Sequence, residues 1–297
     1  MYDKNRQLVI VLAIFALEAI FFSAGNFKLN ERDRLEEERI EKIQVSLNDI
    51  PILAKAVSIY NISQNKKIYG KNDDIVLPIA SLAKIMTVVI ALNSYEPDDV
   101  ISISQDAVNQ AGDYGIFVNE KWKVSDIAKF TLISSANDGA YALSENNPDD
   151  FLEKINSKAK RIGMEHSYFL NFTGLDIVDK AGLPAQAGAF ASATDVNTMA
   201  MFGLLSYPEI FSVTTLPEIN LKSESGFVHN FKSTNIIVDR IPNLLFSKTG
   251  YTEVAGGNLV IIFKDKRREE IAVTILDSTF DGRFSDMEKI MEILYNS

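Results

Sequence analysis

The chain has 297 residues, 46% of them hydrophobic, enough for one large domain or two modest ones with a substantial core. Its formal net charge of -10, with no basic stripe, argues against nucleic acid as a partner. Cysteine is absent, which removes disulfides, thiolate metal sites and a cysteine nucleophile, and the two histidines, His166 and His229, stand in no metal-ligand spacing.

Lys4 and Arg6 precede an apolar run from Leu8 to Ala24, the pattern of an export signal. A spanning helix wants about 20 residues, and Glu18 interrupts this run. Residues 1–27 therefore read as a signal or a retained membrane anchor. Residues 28–50 mix acidic and basic side chains with few apolar ones and read as a solvated helical spacer. A folded domain is expected over 51–297.

That domain opens with alternation over Lys55–Ile62 and Lys67–Tyr69 around a polar turn, a hairpin pattern. Next comes Pro78-Ile79-Ala80-Ser81-Leu82-Ala83-Lys84, at the head of an apolar run that reads as a buried helix. Residues three apart share a helix face, so the Lys84 amine can reach the Ser81 hydroxyl. A serine needs a neighbouring base to become a nucleophile, and a lysine whose pKa is lowered by burial can be that base. Ser125–Leu143 reads as a second buried helical stretch and carries Ser135 and Asn137 in an apolar setting. Asp149–Ile162 and Thr194–Leu205 read as further helices. Leu244–Thr252, Asn258–Lys264 and Glu270–Leu276 have strand character, and Ser285–Tyr295 closes as an amphipathic helix. Strands at both chain ends with helices between them predict an α+β fold with αβα layers: one antiparallel sheet built from the two ends, flanked by helices.

The strand Leu244–Thr252 holds Lys248-Thr249-Gly250. A cation and a hydroxyl suit a terminal carboxylate, and glycine lets a ligand approach the backbone. Ser-x-x-Lys, Ser-x-Asn 54 residues after Ser81, and Lys-Thr-Gly 113 residues after Ser135 together resemble the motif set of penicillin-binding proteins and β-lactamases. The segments Pro78–Thr87, Ser134–Ala140, Asn171–Asp176, Ala193–Ala200 and Lys248–Ala255 are similar, in order, to those of the serine-type D-alanyl-D-alanine carboxypeptidases.

The resemblance implies Ser81 as the acylated nucleophile and Lys84 as its base. It implies Ser135 as a proton relay to the leaving amine, and Asn137 as the residue orienting Lys84 and the substrate backbone. Lys248 and Thr249 would hold the substrate carboxylate, and the backbone N–H groups of Ser81 and Tyr251 the oxyanion. Asn235, in Ser233-Thr234-Asn235, resembles a further polar element of the family. The implied substrate is a peptidoglycan stem peptide and the implied inhibitors are β-lactams, with no metal or cofactor. A D,D-endopeptidase on the same site and a non-turnover penicillin sensor stay open. A β-lactamase would want a glutamate near Asn171–Asp176, and that stretch has none. The 47 residues after Gly250 are expected to finish the sheet and one helix, with no second β domain.

Overall fold

A computed structural model describes residue 31, residues 33–179 and residues 181–297. The apolar run Leu8–Ala24 lies outside these residues. Among the described residues no helix is long and apolar enough to cross a membrane. The chain divides into two compact units after Asp49. The described part of the first is helical over residues 33–49, with Arg34–Glu38 and Arg39–Glu36 ion pairs along it.

The second unit, Ile50–Asn296, carries a five-stranded antiparallel sheet. Its strands are β1 (Ala56–Asn61), β2 (Lys66–Lys71), β5 (Leu244–Thr252), β6 (Gly256–Lys264) and β7 (Glu270–Ser278), in the order β5-β6-β7-β1-β2. The chain ends meet where β1 pairs with β7, Ser58 opposite Thr274. Asn65 takes a positive φ of 53° in the β1–β2 turn, a backbone state that asparagine tolerates well. Among several smaller sheets, β3 (Glu218–Lys222) and β4 (Val228–Lys232) form a separate hairpin that the sequence pattern did not reveal.

Strands β6 and β7 are apolar along nearly their whole length, as a sheet covered on both faces requires. Phe246, Val260, Ile262, Ala272 and Leu276 join the main core with the helices of the chain's middle. Those helices are α1 (Lys84–Ser94), α2 (Val124–Ile133), α3 (Asn137–Ser144), α4 (Pro148–Arg161) and α5 (Ala193–Ser206). Asn197 of α5 ties this layer to the sheet, accepting from the Thr274 hydroxyl at 2.7 Å and donating to the Ser58 carbonyl at 3.2 Å. The alternate residues Ile271, Val273 and Ile275 are buried on the opposite face. Helix α6 (Gly282–Asn296) packs on β6 and β7 and buries Met287, Ile290 and Leu294. The α+β layering expected from the sequence is therefore present.

One expected element is corrected. Ser125–Leu143 is two helices, α2 and α3, broken at Ser134–Ala136. Ser135 has φ 59°, a left-handed conformation that no helix interior accepts. The break lifts the Ser135 side chain out of the helix axis and gives Asn137 a helix start of its own.

Asp286 of α6 fastens the entry of the domain. Fully buried, it accepts from the Leu53 and Ala54 N–H groups at 3.1 and 2.8 Å and from the Ser278 hydroxyl at 2.9 Å. Replacing Asp286 by Ala leaves three donors unpaired, each worth about 1 kcal/mol or more when buried. Urea unfolding of Asp286→Ala is expected to show a loss of roughly 3 kcal/mol. A loss below about 1 kcal/mol would mean that this latch carries little of the fold.

Candidate active site

Ser81 sits on a 3-10 turn, Ala80–Ala83, that runs directly into α1. Ala80 takes φ 47°, strained for a residue with a Cβ, and turns the chain sharply from the short strand Leu77–Pro78 into the helix. Two glycines allow this turn to be gripped from both sides. A Cβ on Gly250 of β5 would stand 2.7 Å from the Ile79 carbonyl oxygen, and one on Gly174 would collide with the Ala80 carbonyl. The nucleophile turn is thus pressed between the edge strand of the sheet and the Asn171–Asp176 segment.

Lys84 is the first residue of α1 and is completely buried. Its Nζ donates to Ser81 Oγ at 2.8 Å and to the Thr173 carbonyl at 2.6 Å. Thr87, one turn on, donates to the Phe172 carbonyl at 2.6 Å. Asn171 shapes that segment: its Oδ1 accepts from the N–H groups of Thr173 and Gly174 at 3.2 and 2.7 Å, and its Nδ2 donates to the Leu175 carbonyl at 2.9 Å. An asparagine-centred turn therefore offers two carbonyls to α1, one of them to the lysine. Burial pulls the Lys84 pKa down from 10.5 to about 7, and the negative field of Asp138 partly opposes this.

Across the cleft, Lys248 on β5 is also buried and donates to Ser135 Oγ at 2.7 Å and to the Thr249 carbonyl at 2.8 Å. Burial, then the positive fields of Lys84 and Arg283, holds its pKa well below the usual lysine range. The Thr249 hydroxyl shares a hydrogen bond with that of Thr234 at 2.5 Å. The strand is the sheet's edge. Its positions 248–250 are buried, whereas the Tyr251 side chain is exposed.

Asn137 stands at the start of α3 and donates to the Ala111 carbonyl at 2.6 Å, while its Oδ1 is buried with no partner. Lys84 spends its hydrogen bonds on Ser81 and Thr173, so the expected orienting contact from Asn137 to Lys84 is absent here. Asn235 turns inward: its Oδ1 accepts from the Ile237 N–H at 3.2 Å within its own turn, and its Nδ2 is buried without a partner. Its neighbour Thr234 is the residue that touches the Lys-Thr-Gly strand.

Four contributors escaped the sequence reading. Thr173 enters through its carbonyl, which no side-chain pattern reveals. Tyr114 reaches the Ser135 carbonyl and Asn137 Nδ2, both at 3.4 Å. Asp138 is buried beside Asn137. Arg283 of α6 lies under the sheet edge, donating to the Gly250 carbonyl at 3.3 Å, with its guanidinium carbon 4.3 Å from the Phe280 ring centre. Adjacency to Asn137 was a usable signal for Asp138. Nothing near Arg283 in sequence marks it.

A buried lysine hydrogen-bonded to a serine is faced by a second serine–lysine pair on a sheet edge, an arrangement able to support acyl transfer on a serine. Residues 43–279 match the family model described as D-alanyl-D-alanine carboxypeptidase, and the chain belongs to this Peptidase S11 family. It is 28% identical over 253 residues to D-alanyl-D-alanine carboxypeptidase DacF of Bacillus subtilis, a match covering 82% of this chain and 62% of that protein. It is also 28% identical over 237 residues to the D-alanyl-D-alanine endopeptidase of Escherichia coli, covering 76% and 72%. The fold is similar to a penicillin-binding protein of Listeria monocytogenes in an ampicillin-bound form (TM-score 0.68, 27% identity, 83% of this chain and 99% of that one). A DD-transpeptidase of Streptomyces shares the fold with TM-score 0.71 at 21% identity, covering 84% and 99%.

The grip on the nucleophile turn is testable. Gly174 (φ 77°) and Gly163 (φ 87°) both occupy left-handed conformations, but only Gly174 has backbone against it; Gly163 faces open space. Alanine at either position adds strain of about 1 kcal/mol, and at 174 it also forces a collision. Thermal unfolding is expected to place Gly174→Ala roughly 2 kcal/mol or more below Gly163→Ala. Equal losses would show that the Asn171–Asp176 segment yields freely.

Proposed function

We propose that this protein is a serine D,D-carboxypeptidase that removes the terminal D-alanine from a peptidoglycan stem peptide through an acyl-enzyme on Ser81. The observation that carries this reading is the 2.8 Å hydrogen bond from a buried Lys84 to Ser81, set opposite Lys248 and Ser135. Ser81 Oγ attacks the carbonyl of the D-Ala-D-Ala bond as its proton passes to Lys84 Nζ. The developing oxyanion is held by the backbone N–H groups of Ser81 and Tyr251, a role carried over from the family resemblance. The C–N bond then breaks, and the leaving amine takes a proton by way of Ser135. Water hydrolyses the ester, releasing the shortened peptide and regenerating the Ser81 hydroxyl. Thr249 and Lys248 receive the terminal carboxylate, and the unpartnered Asn137 Oδ1 accepts from the substrate amide.

β-Lactams would acylate the same serine and inhibit the enzyme, a reading supported by the ampicillin-bound relative. The endopeptidase reading stands beside it, because relatives of that name match this chain as well as the carboxypeptidases do. For location, Lys4 and Arg6 ahead of the Leu8–Ala24 run support export, with that segment either cleaved or kept as the membrane attachment. Domain limits near residues 27 and 50 belong to the same reading.

Mass spectrometry of the protein with a D-Ala-D-Ala-terminated pentapeptide, and separately with benzylpenicillin, tests the assignment. Release of one D-alanine and a penicilloyl adduct on the Ser81 peptide, both absent in Ser81→Ala, are expected. A penicilloyl adduct that persists in Ser81→Ala would sink it, while an adduct without D-alanine release and with cleaved cross-linked dimer would favour the endopeptidase.

Lys84 must be neutral to accept a proton. With its pKa at about 7, the amine is protonated and inactive below that pH and free above it. The acylation rate at Ser81 is therefore expected to rise with pH through about 7 and then level off. In Lys84→Arg, whose side chain stays charged, that rise should vanish with a loss of about a hundredfold or more. A wild-type acylation rate that is flat from pH 6 to 8 would count against lysine as the base.

A further inference from the structure

Away from the cleft, a cavity of about 290 Å³ opens between the last turn of α1 and the second half of α4. Its volume is near the lower end for small-molecule sites, roughly 300–1,000 Å³. Lys84 begins α1 and Ser94 ends it, so the helix rise puts the cavity about 15 Å from that lysine. One wall is a stripe of α4. Lys154, Ser157, Lys158 and Arg161 follow the i, i+3, i+4, i+7 spacing that puts side chains on one helix face. The neighbouring face, with Phe151, Ile155 and Ala159, is buried in the core. That burial fixes the roll of the helix and aims the stripe at the cavity. The facing wall is polar too, with Asn93 and Ser94 closing α1.

The cations of the stripe are unevenly matched. Lys154 pairs with Asp150 at 2.6 Å. Lys158 is partly buried, and its Nζ stands 4.4 Å from the ring centre of Phe202 on α5. Among the described residues neither Lys158 nor Arg161 makes a hydrogen bond or an ion pair. Burial, then the positive field of Arg161, holds the Lys158 amine below the usual lysine range. Two like charges thus act on each other in a partly dry place with no carboxylate to offset them. Cations near the end of α4 suit its dipole. The dipole does not account for Lys154, two turns back, and neither Lys158 nor Arg161 donates to a carbonyl of α1 or α4. In a chain of net charge -10 most of the surface repels anions. This cavity is a place that attracts them.

We propose that the cavity is a binding site for a phosphate group, free or carried on a small polar molecule or a lipid headgroup. Arg161 presents a planar fork for two oxygens, and Lys158 supplies a point charge for a third. A carboxylate would need the fork alone; a tetrahedral oxyanion also uses donors from the opposite wall. Ser94 and Ser157 offer hydroxyls there. Asn93 Nδ2 donates one hydrogen to the Val89 carbonyl at 2.7 Å and keeps the other. The site does not depend on the chemistry assigned to Ser81.

Isothermal titration calorimetry of the full-length protein, in low-salt buffer free of phosphate, tests this with inorganic phosphate and with glycerol 3-phosphate. Co-sedimentation with phosphatidylglycerol vesicles, against phosphatidylcholine, reads the lipid source. Saturable binding of one of the soluble phosphates is expected, with a Kd of about 1 mM or tighter. In the double variant Lys158→Gln, Arg161→Gln the Kd should rise about tenfold or more. Lys160→Gln, exposed and outside the cavity, should stay within about twofold, as one distant surface charge is screened. Phosphatidylglycerol binding that the double variant loses would support the site with a headgroup as its ligand. A phosphate Kd within about twofold of wild type in the double variant would overturn the proposal. So would the absence of saturable phosphate binding with vesicle binding that is missing, or equal in wild type and double variant. Should the double variant lose its wild-type melting temperature, Arg161→Gln alone is read, with a loss of about threefold or more expected and none overturning the site.

Discussion

The active site depends on a lysine amine kept away from water. Taking Lys84 from a pKa of 10.5 to about 7 corresponds to roughly 5 kcal/mol of bias against the charged form. A helix start that buried such a group without partners would not persist. It persists because the Ser81 hydroxyl and the Thr173 carbonyl fill its hydrogen-bonding positions at 2.8 and 2.6 Å. Each of those partners must itself be held, and much of the surrounding structure is that support. The Asn171 turn holds the carbonyl, and Thr87 fixes the neighbouring one. The strained Ala80 and the two glycines beside it hold the hydroxyl.

The second lysine sharpens the constraint. Two ammonium groups cannot share one dry cleft cheaply, and the field of Lys84 is among the causes that lower Lys248. The site therefore favours a state with at most one strong positive charge until an anion arrives. On the proposed reading, a substrate carboxylate docking at Lys248 and Thr249 would favour the charged form of Lys248 and leave Lys84 as the base. Substrate binding and base activation are then two sides of one electrostatic balance.

Much of this was legible in the chain itself. The three motifs carry side chains at fixed spacings, and the strands of the sheet are long apolar runs that announce burial on both faces. The meeting of chain ends at β1 and β7 followed from that pattern. What stayed hidden works through the backbone or through distant packing. The Thr173 carbonyl has no side-chain signature. The break between α2 and α3 rests on a left-handed serine that helix periodicity passes over. Asn235 resembled a polar element of the family, yet its own turn takes up its side-chain carbonyl oxygen, and Thr234 is the residue that meets the strand. Arg283 arrives from the last helix by way of the sheet's edge.

The β3–β4 hairpin shows how such hidden elements matter. Phe231 packs on Phe130 of α2 with ring centres 4.0 Å apart. The Lys232 carbonyl accepts from the Ser134 hydroxyl at 3.0 Å, and the Thr234 N–H donates to the Ile133 carbonyl at 3.1 Å. Two residues beyond β4, the Thr234 hydroxyl meets that of Thr249. A single short stretch, 231–234, thus ties the wall that carries Ser135 to the wall that carries Lys248. The 2.7 Å contact between those two side chains spans the gap that this stretch sets. The cleft width is set by contacts outside it, so the Ser135 and Lys248 side chains need only short reaches to meet.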